Sequence, residues 1–187
     1  MPLLFWERIG YARIASVLRG FSQATGATIL RMKLRVYVES SVISYLVARP
    51  SRDLVVAAHQ QVTRQWWDQS ENFELCISNF VIAEISSGDE AQARSRIECI
   101  ADALVLESSQ SVEALADILV AKKAVPTRAR LDALHISVCA VHGVEYLLTW
   151  NCKHIANAKT MSLIEHICAE AGYQCPRLCT PLELMEN

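Results

Sequence analysis

The chain has 187 residues, a formal net charge of −2 and an apolar content of 52%. This length fits one domain that buries a core without disulfide or metal cross-links, and the near-neutral charge excludes nucleic-acid binding through a global positive field. No apolar run approaches the roughly 18 residues that a membrane span needs, so we expect no membrane partner. The cysteines number seven, and this odd count without a secretory signal indicates reduced thiols in the cytoplasm. They include no C-x2-C pair, which disfavours zinc.

The first 32 residues are predicted to lie outside the fold. This segment contains arginines and serines but only one acid, Glu7, and its apolar start lacks the basic region of a secretory signal. Met32 then opens the strand-like stretch MKLRVYVES. We therefore expect an N-terminal extension over residues 1–32 and a domain over residues 33–187.

Beyond Met32, short apolar runs alternate with longer segments whose apolar residues recur every three or four positions. Strands are predicted at residues 34–38, 75–78, 103–106, 145–149 and 177–179. Helices are predicted within residues 53–69, 78–88, 111–125, 127–143 and 161–172. Strands separated by helices pair in parallel, so the predicted fold is α/β, a three-layer α/β/α sandwich around a mostly parallel sheet of four to five strands.

Boundary signals refine these helices. Ser111 is the expected cap of the third helix, and Gly143 and Gly172 are expected to end the last two. In the first helix, one apolar stripe is expected to be buried. Its members are Leu54, Ala57, Ala58, Val62 and Trp66.

Four polar residues fall where a parallel sheet gathers its ligand site, beyond the carboxyl ends of the strands. Glu39 ends the first strand and Glu84 lies in the helix after the second. Asp132 lies in the first turn of the helix before the fourth strand, and Asn151 follows that strand. Singly, Asp132 could complement a helix dipole and Asn151 could be a turn residue, but Glu84 sits among apolar residues, where an acid needs a partner or a function.

Together, these residues offer convergent oxygen ligands from four separate segments. Mg²⁺ and Mn²⁺ prefer such ligands, and a cation would relieve the repulsion between clustered carboxylates. We therefore expect a divalent metal site.

Residues 33–187 resemble the PIN domain, especially the VapC-like toxins of type II toxin–antitoxin systems. The resemblance rests on the order and spacing of four segments: VYVESSVISYL, VIAEI, RLDALHISVCAVHG and YLLTWNCKHIANA. It implies a Mg²⁺- or Mn²⁺-dependent ribonuclease that forms a homodimer and is inhibited by a cognate antitoxin protein.

The resemblance also implies a role for each matched residue. Glu39 stands where most PIN domains have an aspartate, Glu84 and Asp132 match the second and third acids, and Asn151 stands where a fourth acid is usual. The matched hydroxyl residues, which brace the first and last acids in the family, are Ser40, Ser41 and Thr149.

The two departures bear on activity. Glutamate at position 39 moves the carboxylate outward by roughly 1.5 Å, and asparagine at position 151 removes one charge but keeps a carbonyl oxygen. They leave open an alternative function, a PIN-like protein without nuclease activity that acts as an RNA- or protein-binding regulatory module.

The mechanism that we expect is metal-assisted phosphodiester hydrolysis, with the metal on Glu39, Glu84 and Asp132. Asn151 would position the attacking water or the substrate phosphate. His135, one helical turn after Asp132, is predicted to be packed structure. The candidate phosphate-binding residues are Lys153, His154, Arg128 and Arg130.

Overall fold

The computed structural model describes residues 33–185, and the prediction for residues 1–32 lies outside the described residues. The strands are β1 (Arg35–Val38), β2 (Glu74–Ser78), β3 (Leu104–Leu106), β4 (Tyr146–Leu148) and β5 (Arg177–Cys179). The helices are α1 (Ser40–Val47), α2 (Leu54–Trp67), α3 (Asn79–Ile85), α4 (Glu90–Cys99), α5 (Gln110–Ala121), α6 (Arg130–His142) and α7 (Met161–Glu170). Short 3₁₀ turns occupy Ser70–Asn72 and Thr127–Ala129.

The five strands form one parallel sheet in the order β3-β2-β1-β4-β5. Each strand is joined to the next through at least one helix, because parallel neighbours need a crossover connection. The helices flank the sheet. The predicted three-layer α/β/α sandwich is therefore confirmed, and within residues 33–185 its sheet is entirely parallel.

The core is built on the central strand β1. Val36, Tyr37 and Val38 expose none of their surface, and neither do Leu147 and Leu148 of the adjacent β4. A parallel strand covered by helices on both faces has a continuous apolar run instead of alternating polar residues. For this reason the short apolar runs predicted every strand to within one residue at each end.

The predicted buried face of α2 is confirmed at Trp66, which exposes none of its surface, and is wrong at Leu54 and Ala58, which are exposed. Leu54 is 86% exposed, and the residues that α2 buries are Gln60, Thr63 and Trp66. The Gln60 amide makes two 2.9 Å hydrogen bonds to the backbone of the preceding loop. The Thr63 hydroxyl donates to the α2 backbone at 2.7 Å and accepts from the Trp150 indole at 2.7 Å. Polar side chains enter the core here because their hydrogen bonds are satisfied.

Helix ends follow the predicted signals in part. Ser109, and not Ser111, caps α5, where its hydroxyl accepts the Val112 N–H at 3.3 Å. Gly143 ends α6 in the left-handed conformation as predicted, with φ of +63°, and Gly172 follows α7 with φ of +82°. These positive φ values are the reason that glycine suits both positions.

Helix α4 has no counterpart among the predicted helices. Its residues, EAQARSRIEC, form no apolar stripe, and none of them is buried. None of the helices in the described part of the chain is both long and apolar enough to cross a membrane.

Candidate metal centre

The centre lies where the order of the strands reverses. Strands β2 and β3 extend from one side of β1, and β4 and β5 extend from the other. Ligand sites of parallel sheets form at such switch points, beyond the carboxyl ends of the strands. Val38 pairs with Leu148, and the Glu39 N–H donates to the Leu148 carbonyl at 3.0 Å. This register brings Glu39 and Thr149, the next residue on each chain segment, to the same edge.

Glu39 is a buried carboxylate, 5% exposed, that is held by hydroxyl and amide donors. Its Oε1 accepts from the Ser40 hydroxyl at 2.7 Å. Its Oε2 accepts from the Ser41 N–H at 3.2 Å, from the Thr149 hydroxyl at 2.7 Å and from the Ser41 hydroxyl. The bond to the Ser41 N–H makes Glu39 the N-cap of α1. A carboxylate offers about four lone-pair positions, so Oε1, with one donor, retains capacity for a metal ion.

Glu84 and His135 form the second part of the centre, between α3 and α6. Glu84 Oε2 lies 3.1 Å from His135 Nε2. Burial alone would raise the pKa of the Glu84 carboxyl, but the hydrogen bond and charge of His135, together with the Ser40 hydroxyl, bring that pKa below its ordinary value. Glu84 is therefore ionised at neutral pH.

His135 is the first member of a buried chain of hydrogen bonds. Its Nδ1 lies 2.7 Å from the Tyr37 hydroxyl, which lies 2.6 Å from the Ser78 hydroxyl. Burial raises the pKa of Tyr37 well above its usual range, so this hydroxyl stays protonated. His135 is 1% exposed, which agrees with its prediction as packed structure, but its Nε2 also faces the carboxylates.

The ligand atoms of Glu39, Glu84 and His135 all lie within 4.8 Å of one another, and no other such group of three or more His, Cys, Asp and Glu ligands occurs within residues 33–185. Two carboxylates and one imidazole are a donor set that suits divalent cations. These three residues could therefore hold a metal ion.

Asp132 stands beside this group and is not a member of it. It lies in the first turn of α6, as predicted. Burial raises the pKa of Asp132, and the charge of Glu39 adds to this effect. A hydrogen bond from Asn151 and the charges of His135 and His154 act in the opposite direction without cancelling it. Asp132 is thus within electrostatic reach of Glu39.

Asn151 is fixed by its own loop. Its backbone N–H donates to the Thr149 hydroxyl at 2.8 Å, and its side-chain carbonyl accepts the His154 N–H at 3.1 Å. Thr149 therefore links Asn151 to Glu39, because the same hydroxyl donates to the Glu39 carboxylate.

The predicted phosphate-binding residues differ in whether an acidic side chain already pairs with them. Lys153 and Arg128 are exposed and form no ion pair with another described residue. Arg130 lies 2.7 Å from Glu113 and 2.8 Å from Asp117 of α5, so its guanidinium is already neutralised.

Sequence reasoning missed Tyr37 and Ser78. The available signal was a tyrosine within an otherwise apolar central strand, because a buried phenol needs a hydrogen-bond partner. Which residues would bond the Tyr37 hydroxyl could not be inferred from the sequence, since this depends on how α6 packs against β1.

Comparisons with protein-family models and with curated proteins find no match. Among solved structures, the chain is similar to a chain in the crystal structure of VapBC2 from Rickettsia felis bound to a DNA fragment from their promoter. The TM-score is 0.52 and the identity is 14%, over 79% of this chain and 98% of that chain. At this identity the likeness concerns the fold alone, and it supports the predicted PIN-like fold.

Proposed function

We propose that the protein is a metal-dependent ribonuclease and the toxin of a type II toxin–antitoxin pair. The observation that carries this proposal is the convergence of Glu39, Glu84 and His135 within 4.8 Å at the switch point of a PIN-like sheet. The buried Glu39 and the half-buried Glu84 have no basic partner other than a histidine among the described residues, and such a pair of acids is suited to a cation and a phosphodiester.

Glu39 and Glu84 would hold the ion, Mg²⁺ or Mn²⁺, with Asp132 as the third acid of the site. The bound ion would activate a water molecule and neutralise charge that develops on the phosphate. Ser40, Ser41 and Thr149 fix the direction of the Glu39 carboxylate, because each donates a hydrogen bond to it.

Asp132 and Asn151 would act on the attacking water. Asp132 lies within electrostatic reach of Glu39 and is not a member of the group formed by Glu39, Glu84 and His135, so its carboxylate is placed to act as a general base. We infer that Asp132 accepts the proton of the water while the Asn151 amide orients that water or the phosphate.

The RNA backbone would be bound by exposed or half-exposed basic residues, Lys153, His154 and Arg128. Arg130 is a weaker candidate because Glu113 and Asp117 already engage it.

Partners follow from the same proposal. The solved neighbour is a VapBC assembly on promoter DNA, which supports a cognate antitoxin for this chain. We further propose a homodimer in the cytoplasm. The seven cysteines are all free thiols, as in proteins of a reducing compartment.

Cleavage of structured RNAs in Mg²⁺ or Mn²⁺ tests the proposal. We expect Asp132→Ala to lower the rate about 10²–10⁴-fold, the range for loss of a general base. The control Asp117→Ala removes an exposed carboxylate of α5 and should leave the rate within about twofold. If the folded protein cuts no RNA with either metal, or Asp132→Ala cuts equally well, the assignment is wrong. RNA binding without cleavage would indicate the regulatory module instead.

A further inference from the structure

We propose that His135 Nε2 is a direct ligand of the metal, and that the centre therefore selects divalent transition-metal ions such as Mn²⁺ over Mg²⁺. This inference rests on the proposed metal site and names the ion class that the site takes. It departs from the ligand set of three acids expected above.

The position of the imidazole is the first argument. His135 is the third member of the group whose ligand atoms lie within 4.8 Å of one another, and Asp132 is not a member. The Nε2 of His135 is the nitrogen beside Glu84, because Nδ1 contacts Tyr37. The ring is 1% exposed and is held on both sides, by Glu84 at 3.1 Å and by Tyr37 at 2.7 Å. A ring fixed in this way presents Nε2 to the carboxylates without any change of rotamer.

The hydrogen-bond chain behind the ring is the second argument. A histidine that binds metal through Nε2 must carry its proton on Nδ1, and a partner on Nδ1 normally enforces this tautomer. The Tyr37 hydroxyl lies within hydrogen-bond distance of both His135 Nδ1 and the Ser78 hydroxyl. When its proton points to Ser78, the phenol oxygen accepts Nδ1–H, and Nε2 has a free lone pair.

The same chain also accommodates the metal-free state. When the Tyr37 proton points to Nδ1, the imidazole carries its proton on Nε2 and donates to the Glu84 carboxylate. Metal binding then exchanges one tautomer for the other. One proton leaves Nε2, one proton is taken at Nδ1, and the number of protons on Tyr37 and His135 is unchanged.

The choice of ion follows from the third ligand. Mg²⁺ binds almost entirely through oxygen ligands, whereas first-row transition-metal ions also bind imidazole nitrogen, with an affinity that is lowest for Mn²⁺ and rises toward Cu²⁺. A site of Glu39, Glu84 and Asp132 would offer oxygen alone, and a site of Glu39, Glu84 and His135 offers one nitrogen. The identity of the third ligand therefore decides the metal preference.

Metal binding without RNA tests this inference. Full-length protein freed of metal by a chelator is titrated with Mn²⁺ and with Mg²⁺ by calorimetry, and bound Mn²⁺ is examined by pulsed electron paramagnetic resonance for coupling to a nitrogen nucleus. We expect a Kd for Mn²⁺ at least tenfold below that for Mg²⁺, together with nitrogen coupling. His135→Gln should abolish the coupling and weaken Mn²⁺ at least tenfold, while Mg²⁺ binding changes less than threefold.

Two further variants separate ligation from packing. Tyr37→Phe keeps the ring and removes the partner of Nδ1, so it should retain the nitrogen coupling and weaken Mn²⁺ about tenfold. His142→Gln is the matched control on the same helix, since His142 bonds the Glu107 carbonyl and lies outside the centre. Its titrations should equal those of the wild type.

The outcomes distinguish this inference from the proposed function. Absence of nitrogen coupling in the wild-type protein, or an unchanged Mn²⁺ to Mg²⁺ ratio in His135→Gln, overturns the inference even if RNA is cut. Nitrogen coupling in a protein that cuts no RNA refutes the ribonuclease and leaves the ligand assignment intact. If His135→Gln does not fold, the wild-type spectrum alone decides.

Discussion

Replacing Thr149 with valine is a direct test of how the centre is held together. Thr149 exposes none of its surface. Its hydroxyl donates to Glu39 Oε2 at 2.7 Å and accepts the Asn151 N–H at 2.8 Å. Valine keeps the branched shape and its rotamer preference. The substitution therefore removes these two short hydrogen bonds and a longer one of 3.5 Å with the Ser41 hydroxyl, without opening a cavity.

The expected loss can be worked from these contacts. A hydrogen bond to a charged group contributes about 1.5–3 kcal/mol, and a polar group left without a partner costs about 1–3 kcal/mol. Glu39 keeps the donors of Ser40 and Ser41, and Asn151 is half-exposed, so water can replace part of the loss. We therefore expect Thr149→Val to lower the free energy of unfolding by about 2–4 kcal/mol.

Urea unfolding of the metal-free protein measures this value, and an unchanged m-value would show that the same transition is compared. The matched control is Thr180→Val, because the Thr180 hydroxyl donates to the exposed Glu183 carboxylate at 2.8 Å. An exposed bond of this kind should contribute under about 1 kcal/mol. If Thr149→Val loses no more stability than Thr180→Val, the buried hydroxyl does not stabilise Glu39 as argued.

Three further predictions concern Gly143 at the end of α6, the carboxyl of Asp132, and the basic residues Arg128 and Arg130. Gly143→Ala should lower stability in urea by about 1 kcal/mol, because φ is +63° although no atom lies within 4 Å of the added Cβ; Gly143→Asn should lower it less. Burial raises the pKa of Asp132 in the folded protein above its value in the unfolded chain. Above the folded-state pKa, ionised Asp132 therefore lowers the free energy of unfolding. Below the unfolded-state pKa this loss disappears. Asp132→Asn should therefore raise the Tm of the metal-free protein above that of the wild type at neutral pH, and the two proteins should melt at the same temperature in acid. If the variant and the wild type also have equal Tm values at neutral pH, the burial argument is contradicted. Arg128→Ala should weaken RNA binding severalfold and reduce the salt dependence by about one ion, whereas Arg130→Ala, whose charge is already paired, should weaken binding less in the same titration.

Much of the fold could be predicted because its strands are buried on both faces. A continuous apolar run such as that around Tyr37 can belong only to a covered strand or a short buried helix, and flanking helices decide between these. The buried face of helix α2 could not be predicted from its apolar residues. Gln60 is buried through hydrogen bonds to the loop before α2, and Thr63 through a hydrogen bond to the distant Trp150. The spacing of apolar residues in the sequence does not reveal these partners.

The candidate site, like the fold, could be predicted from the sequence only in part. The positions of Glu39 and Thr149 could be predicted from the sequence because parallel strands collect their carboxyl ends at one edge. The role of His135 could not, because Asp132 and His135 lie one turn apart on α6 and sequence spacing suggested a shared face. The structure instead bonds His135 to Glu84 and leaves Asp132 outside the group of metal-ligating atoms, since the packing of α6 against α3 and β1 decides which of the two meets the carboxylates.

The sequence raises the question of why a buried strand should end on a glutamate with no basic residue beside it. The structure answers with donors instead of a counter-charge, since Ser40, Ser41 and Thr149 together satisfy the carboxylate. These four donors hold the carboxylate in place in the metal-free protein. One side chain thereby caps α1 and also meets Thr149 of the segment that follows β4. Because the donors crowd Oε2 and leave Oε1 with a single one, a cation would add to this arrangement and would not have to displace it.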